Sequence, residues 1–419
     1  LNTYLYAPKD DLKHRIAWRE PYTAWEARRL GTLVQECKKR GIRFCYAISP
    51  GLDIRFSVNS EHELLKRKLM QVLKLGCESF ALLFDDIPDR LNPADRKRFG
   101  TQAAAQALTA NGIYFWLRRE NSAATMFLCP TVYCGSMANP SVSECGYLRE
   151  LGEKVDREIK IFWTGPDIIS ARISVGSIRE VARVLRRRPI LWDNLYANDY
   201  DVRRLHLGPY AGRPHSLKKE VDGVLLNPNC QCYANFVPVR SLASWLRTWN
   251  IRESKAGWGM AVWAWLGFFS IYAGRKLHFS DLRLLCDFYY LPTTVGPTAR
   301  KFLDDVAKLL APPVVGRDSL LRRVERTCRR VTRLFDALLG LENRTLLHAI
   351  YPHMWEMKER ILLVQELVRW LRSNPRPEGG FPPGSYPAAS LRGCVCSELD
   401  RLLNGLLHST SVRPGMAMG

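Results

Sequence analysis

Through its first 232 residues the chain alternates between short apolar runs and longer segments with helical spacing. The apolar runs fall at residues 3–6, 43–48, 80–84, 126–129, 159–163, 189–192 and 223–226. Between them lie helix-like stretches such as 24–39, 61–75 and 175–187. Strands that alternate with helices predict parallel β-α units. Most runs end in polar or Gly/Pro residues, among them Pro8-Lys9-Asp10, Asp85-Asp86, Asp193-Asn194 and Asn227-Pro228-Asn229. In a (β/α)8 barrel those strand ends form the catalytic face, whereas an open doubly wound sheet would gather function at one switch point. The barrel is the better fit. Only seven strands are legible where closure takes eight, and the first run begins two residues into the chain. The expectation is therefore a TIM-type barrel over 1–250 that lacks its first β-α unit, in a truncated chain.

Beyond residue 250 the strand pattern ends. Residues 258–272 are almost wholly apolar, yet fall short of the roughly 20 residues a bilayer span needs, and a buried connecting helix is expected over 251–279. Helical spacing then continues through Leu282, Leu285 and Phe288, through Leu321, Val324, Cys328 and Val331, and through Met354, Met357, Ile361 and Val364. That predicts an all-α second domain over 280–372. Residues 373–419 read as a Pro/Gly-rich linker, a short helix at 398–407 and a polar tail.

Composition adds two points. The 419 residues carry 62 Lys and Arg against 41 Asp and Glu, a surplus of +21, and 47% are hydrophobic, which excludes a largely disordered chain. The surplus is spread, +9 over residues 251–419 and +12 upstream, so it points to a generally basic surface and to no specific nucleic-acid partner. The six arginines Arg322, Arg323, Arg326, Arg329, Arg330 and Arg333 read as the solvated side of an amphipathic helix. The twelve Cys show no zinc-ribbon spacing, and several sit in apolar runs. Buried free thiols suit a reducing cytosol or nucleus. No signal peptide opens the chain, and no phosphate loop, metal-binding helix motif or Ser-His-Asp arrangement is apparent.

Candidate chemistry centres on Asp85-Asp86, which close the apolar run Phe80-Ala-Leu-Leu-Phe. Two adjacent acids ending a buried strand repel each other and lose hydration, which raises the pKa of one of them. One neutral and one ionised carboxyl is what glycosidic cleavage uses. A helix cap or a metal ligand is the structural alternative. Lys9, Tyr133, Trp192, Asn194, Asp199 and Asn227 at other strand ends supply the aromatic, amide and charged groups that bind sugars, although Trp192 is equally readable as core.

Several longer stretches carry a specific resemblance. Asn2-Thr-Tyr-Leu-Tyr-Ala-Pro-Lys-Asp-Asp11, Tyr46-Ala-Ile-Ser-Pro-Gly-Leu-Asp53, Phe80-Ala-Leu-Leu-Phe-Asp-Asp-Ile87, Trp192-Asp-Asn-Leu-Tyr-Ala-Asn-Asp-Tyr200, Leu207-Gly-Pro-Tyr-Ala-Gly-Arg213 and Asn227-Pro-Asn-Cys230 resemble the barrel of glycoside hydrolase family 84, the O-GlcNAcase family. Leu282-Arg-Leu-Leu-Cys-Asp-Phe-Tyr-Tyr-Leu-Pro292, Asn343-Arg-Thr-Leu346 and Tyr351-Pro-His-Met-Trp355 are similar to the helical stalk of its animal members. Val132 departs from the glutamate those members would carry, and the family's glycine-containing sugar loop on the first strand has no counterpart. The resemblance implies retaining, substrate-assisted removal of β-linked N-acetylglucosamine from Ser/Thr of nuclear and cytosolic proteins, with no metal or organic cofactor and no membrane span. It assigns catalysis to Asp85, which would polarise the acetamido N–H, and to Asp86 as acid and base. Tyr133, Trp192 and Asn194 would contact the acetamido group or line its pocket, and Lys9, Asp199 and Asn227 would hold ring hydroxyls. A stalk homodimer would bring Trp355 to substrate peptide, with bundle core as the alternative for that residue. Two further readings stand beside this one: a hexosaminidase acting on glycans such as hyaluronan, and a non-catalytic basic scaffold.

Overall fold

A computed structural model of the chain describes residues 1–201, 203–272, 276–310, 316–373 and 394–409. Seven strands form one sheet in strict sequence order: β1 (Thr3–Tyr6), β2 (Arg43–Ile48), β3 (Ser79–Leu83), β4 (Thr125–Cys129), β5 (Lys160–Trp163), β6 (Ile190–Asp193) and β7 (Gly223–Leu226). Pairing from β1 through β6 is parallel, with Tyr4 opposite Phe44, Ala47 opposite Ala81 and Leu83 opposite Cys129. Parallel neighbours require crossovers. These are supplied by α1 (Ala24–Lys39), α2 (Asn59–Leu73), α3 (Pro93–Phe99), α4 (Gln102–Glu120), α5 (Gly146–Lys154) and α6 (Val175–Val184), while a 3-10 turn at His215–Lys219 precedes β7. The seven runs read from the sequence are the seven strands. Among the described residues β1 and β7 stand at the two ends of the sheet, and no eighth strand joins them.

Alternation along each strand builds an apolar interior. Cys45, Ala47, Ala81, Leu83, Cys129, Tyr133, Cys134 and Phe162 form one buried cluster, with Leu5, Ala7, Phe127, Ile190, Trp192 and Leu225 packed against it. Strands β2, β3, β4 and β6 each contribute two residues spaced two apart, β1 contributes Leu5 with Ala7 just beyond its end, and β5 and β7 contribute one residue each.

The described residues divide into two compact units, one holding Leu1–Asp193 with Ser216–Leu225, the other Asn194–His215 with the chain from Leu226 onward. The second unit is helical: α7 (Phe236–Arg247), α8 (Ile251–Trp265), α9 (Phe279–Phe288), α10 (Pro297–Leu310), α11 (Arg317–Leu339), α12 (Arg344–Ser373) and α13 (Val395–Ser409). A large core of this unit runs from Leu205 to Leu403. The apolar stretch near residue 260 is only half buried. In α8, Trp258, Ala261, Val262 and Trp265 enter the core, while Met260 and Trp263 face solvent at 70% and 65% exposure. An all-round apolar sequence thus became an ordinary one-faced helix. No helix among the described residues is long and apolar enough to cross a membrane. Helix α11 buries Leu321, Val324, Cys328, Val331 and Phe335 and leaves Arg322, Arg326, Arg329 and Arg333 exposed, the solvated basic side that its spacing predicts. The linker expected after residue 373 and the tail after 409 lie outside the described residues.

Candidate active site

Strand β3 carries Ala81 and Leu83 into the interior cluster, and Asp85 has the same parity two residues on. Its carboxylate is divided. Oδ1 is closed off from solvent and has no hydrogen-bond partner, while Oδ2 lies 3.8 Å from Arg15 Nη1. Loss of hydration pushes the Asp85 pKa up, and neighbouring Asp86 pushes it the same way more weakly; the Arg15 guanidinium pulls against both. Of the acidic pair, Asp85 is the member whose pKa burial raises.

Asp86 is exposed, with φ of 50°. Tyr133 O–H donates to its Oδ1 at 2.8 Å. Tyr133 is 6% exposed and belongs to the interior cluster. Burial first, and the Asp86 carboxylate second, raise its phenol pKa, so it stays protonated and remains a donor. Asp85, Asp86 and Tyr133 are therefore one hydrogen-bonded and electrostatic group at the C-terminal end of β3 and the loop after β4.

The other sequence-predicted residues fall as follows. Trp192 on β6 packs edge-on against Phe162, ring centroids 5.2 Å apart, beside the interior cluster. Lys9, two residues beyond Ala7, is exposed in the loop after β1. In the second unit Asn227 Nδ2 donates to Asn194 Oδ1 at 2.9 Å, which joins these two amides, and Asp199 is exposed five residues further along from Asn194. Trp355 is 45% exposed on α12, in a cluster with Phe335 and Tyr351, and its indole N–H donates to Glu359 at 3.1 Å. Bundle core is thereby ruled out for it.

Sequence reasoning passed over Arg15. It stands four residues after Asp11, among 62 basic side chains, and nothing in the spacing separates it from the rest. Its only signal is position, in a turn that follows the C-terminal end of a strand. No group of three or more His, Cys, Asp or Glu suited to a metal occurs among the described residues.

Comparison with known proteins gives the family. Residues 1–276 match the family model described as beta-N-acetylglucosaminidase. Over 248 residues, 59% of this chain, the sequence is 51% identical to Protein O-GlcNAcase of Rattus norvegicus and 50% identical to that of Mus musculus. The match spans 27% of the length of either relative. Among solved structures, a mutant O-GlcNAc hydrolase of Thermobaculum terrenum superposes with a TM-score of 0.80 at 28% identity, covering 98% of this chain and 88% of that one. With a sequential parallel sheet, an acidic pair at the end of its third strand and a family match over two thirds of its length, the chain belongs to the β-N-acetylglucosaminidase family of O-GlcNAcase-type glycoside hydrolases.

Proposed function

We propose that this chain hydrolyses β-linked N-acetylglucosamine from serine and threonine of intracellular proteins, with retention and through an oxazoline. The reading rests above all on Asp85 Oδ1, a buried acceptor that lacks a donor. An acetamido N–H placed there completes it. A bare buried carboxylate is costly, and an N–H that becomes more positive as the reaction proceeds relieves that cost most at the transition state. Asp85 thus polarises the acetamido group. The acetamido oxygen attacks the anomeric carbon as the bond to the Ser/Thr oxygen breaks, and exposed Asp86 gives that oxygen its proton. Asp86 then takes a proton from water as the water opens the oxazoline at the same carbon. An internal nucleophile gains a high effective molarity over one brought from solution. Tyr133 steadies Asp86 during both transfers, Trp192 lines the acetamido pocket, and Asn194, Asn227, Asp199 and Lys9 hold the amide and ring hydroxyls.

Twelve cysteines, none in a disulfide and eight of them buried, favour protein substrates of the cytosol and nucleus over extracellular glycans. A homodimer through the helical unit, with Trp355 beside substrate peptide, belongs to the same reading. No cofactor takes part in it.

Turnover of aryl N-acetylglucosaminides is the test. The rate should fall steadily as fluorines replace the acetyl hydrogens, because the carbonyl oxygen is the nucleophile. A rate indifferent to fluorination would point instead to a carboxylate nucleophile. Asp86→Asn should abolish glycopeptide cleavage and spare part of the activity on an aryl substrate whose leaving group needs no proton.

A further inference from the structure

The turn after β1 reaches the acidic pair through one side chain. Residues Leu12–His14 form a 3-10 turn capped by Asp11, whose carboxylate accepts from Lys13 N–H at 2.9 Å. The turn is fastened to β2: His14 Nδ1 lies 2.8 Å from the Ala47 carbonyl, and Ser49 N–H donates to the His14 carbonyl at 2.9 Å. Arg15 leaves this fixed base with its side chain 24% exposed. Its Nη2 donates to the Asp86 carbonyl at 3.1 Å and lies 3.5 Å from the Asp85 carbonyl, and its Nη1 is the group 3.8 Å from Asp85 Oδ2.

Those contacts fall on an unusual backbone. At φ of 50° Asp86 occupies the left-handed region, which residues other than glycine seldom adopt without support. The turn has a purpose. In a regular strand Asp85 and Asp86 would point to opposite faces. Leaving the strand conformation at Asp86 lets its carboxylate meet Tyr133, a member of the same interior cluster that Ala81 and Leu83 enter. Two holders keep this arrangement, Tyr133 on the carboxylate and Arg15 on the carbonyl.

We infer that Arg15 is a positioning residue for the hydrolysis: its guanidinium grips the two consecutive carbonyls of Asp85 and Asp86 and so keeps both carboxyl groups directed at one sugar. The inference rests on the hydrolase reading above and adds to it a residue that touches no substrate. Arg15 also acts on charge. The charged and titratable neighbours of Asp85 are His14 and Arg15 from the turn, Asp86 beside it, and Tyr133 and Cys129 from β4 and its loop. Arg15 is the nearest cation in that set, and it opposes the upward push of burial.

The experiment compares Arg15→Met and Arg15→Lys with the unaltered chain. With an aryl substrate, Arg15→Met should lose about 10–100-fold in kcat, the scale of a misplaced catalytic group, with KM changed by less than roughly twofold because no substrate contact is removed. The acidic limb of its kcat/KM profile should move to higher pH, since Asp85 then ionises later. Arg15→Lys restores the charge without the fork, so it should return the limb toward its original pH and recover only part of kcat. Two readouts do not depend on turnover: the carboxyl 13C titration of Asp85 should shift upward in Arg15→Met, and a crystal structure of that variant should show Asp86 leaving the left-handed region. Unchanged kcat, or an unmoved Asp85 titration with φ of Asp86 still near its present value, would overturn the inference. An inactive unaltered chain would sink the hydrolase reading alone, and the titration and the Asp86 backbone would still decide whether Arg15 shapes the pair.

Discussion

At the scale of single residues the site works against the stability of the fold. Asp85 has a folded-state pKa raised above its unfolded value, mainly by burial. Such a group contributes stability that is complete below the unfolded pKa, about 4 for Asp, and that is lost as pH rises through the folded value. At neutral pH the carboxylate is therefore a liability that function retains. Asp85→Asn should abolish turnover yet raise unfolding stability at pH 7 by about 0.5–2 kcal/mol. The gain should vanish near pH 3.5, where both chains are neutral at this position; thermal unfolding at the two pH values checks it. Tyr133→Phe tests the other holder. It removes the donor at 2.8 Å from Asp86, and kcat should fall on the order of 10²-fold while the Asp85-linked acidic limb stays in place. Much of this site was legible beforehand. Asp85 lies in phase with the inward residues Ala81 and Leu83, and an acid at the end of such a run is visible in a bare sequence. The left-handed turn at Asp86 and the reach of Arg15 were not, because both depend on a loop conformation fixed by His14, Ala47 and Ser49 from other parts of the chain.

At the scale of elements, legibility followed the contrast between faces. All seven strands were readable because β-rich apolar runs ended in polar or Gly/Pro residues. Helix α4, Gln102–Glu120, shows less contrast: Ala103, Ala105, Gln106, Thr109, Ile113 and Leu117 are all buried, so it carries no narrow apolar stripe. Close packing of helices adds constraints that no periodicity reveals. A methyl group on Gly152 of α5 would sit 2.4 Å from the Val184 carbonyl oxygen and 2.7 Å from Leu185 Cα, both backbone atoms at the end of α6. Gly152→Ala should thus destabilise the first unit by about 1–3 kcal/mol through overpacking, measured as a lower midpoint in urea. In the second unit, α13 is tied to α12 by Arg360 and Asp400, 7% and 1% exposed, with Nε to Oδ1 at 3.2 Å. Removing Asp400 takes the buried partner from the guanidinium, which keeps the exposed Glu359 carboxylate at 3.8 Å and the Glu356 carbonyl at 3.2 Å. Asp400→Ala should cost about 3–5 kcal/mol and release the amide protons of α13 to early exchange, whereas Arg360→Met with Asp400→Leu should recover most of that loss.

At the scale of the whole molecule, the twelve cysteines give the most direct check that sheet and helical unit are built as described. None of them is in a disulfide; Cys230 and Cys232 are exposed, Cys37 and Cys394 intermediate, and the remaining eight buried. Reaction with a disulfide reagent needs both access and a thiolate. Burial denies the first and also pushes the pKa of Cys45, Cys129, Cys286 and Cys396 up, which denies the second. The folded chain should therefore release two equivalents quickly, two more slowly, and eight only as denaturant unfolds it. Cys45 and Cys129 lie in the interior formed by the strands, and Cys286 and Cys328 in the helical core. The last eight thus report on both cores at once. Early reaction of Cys45 and Cys129, with Cys286 and Cys328 still protected, would mean that the seven-stranded sheet does not hold its interior closed in solution. Asp85 Oδ1 would then be open to water instead of waiting as a buried acceptor for the acetamido N–H, and aryl glycoside turnover would fail in the same samples.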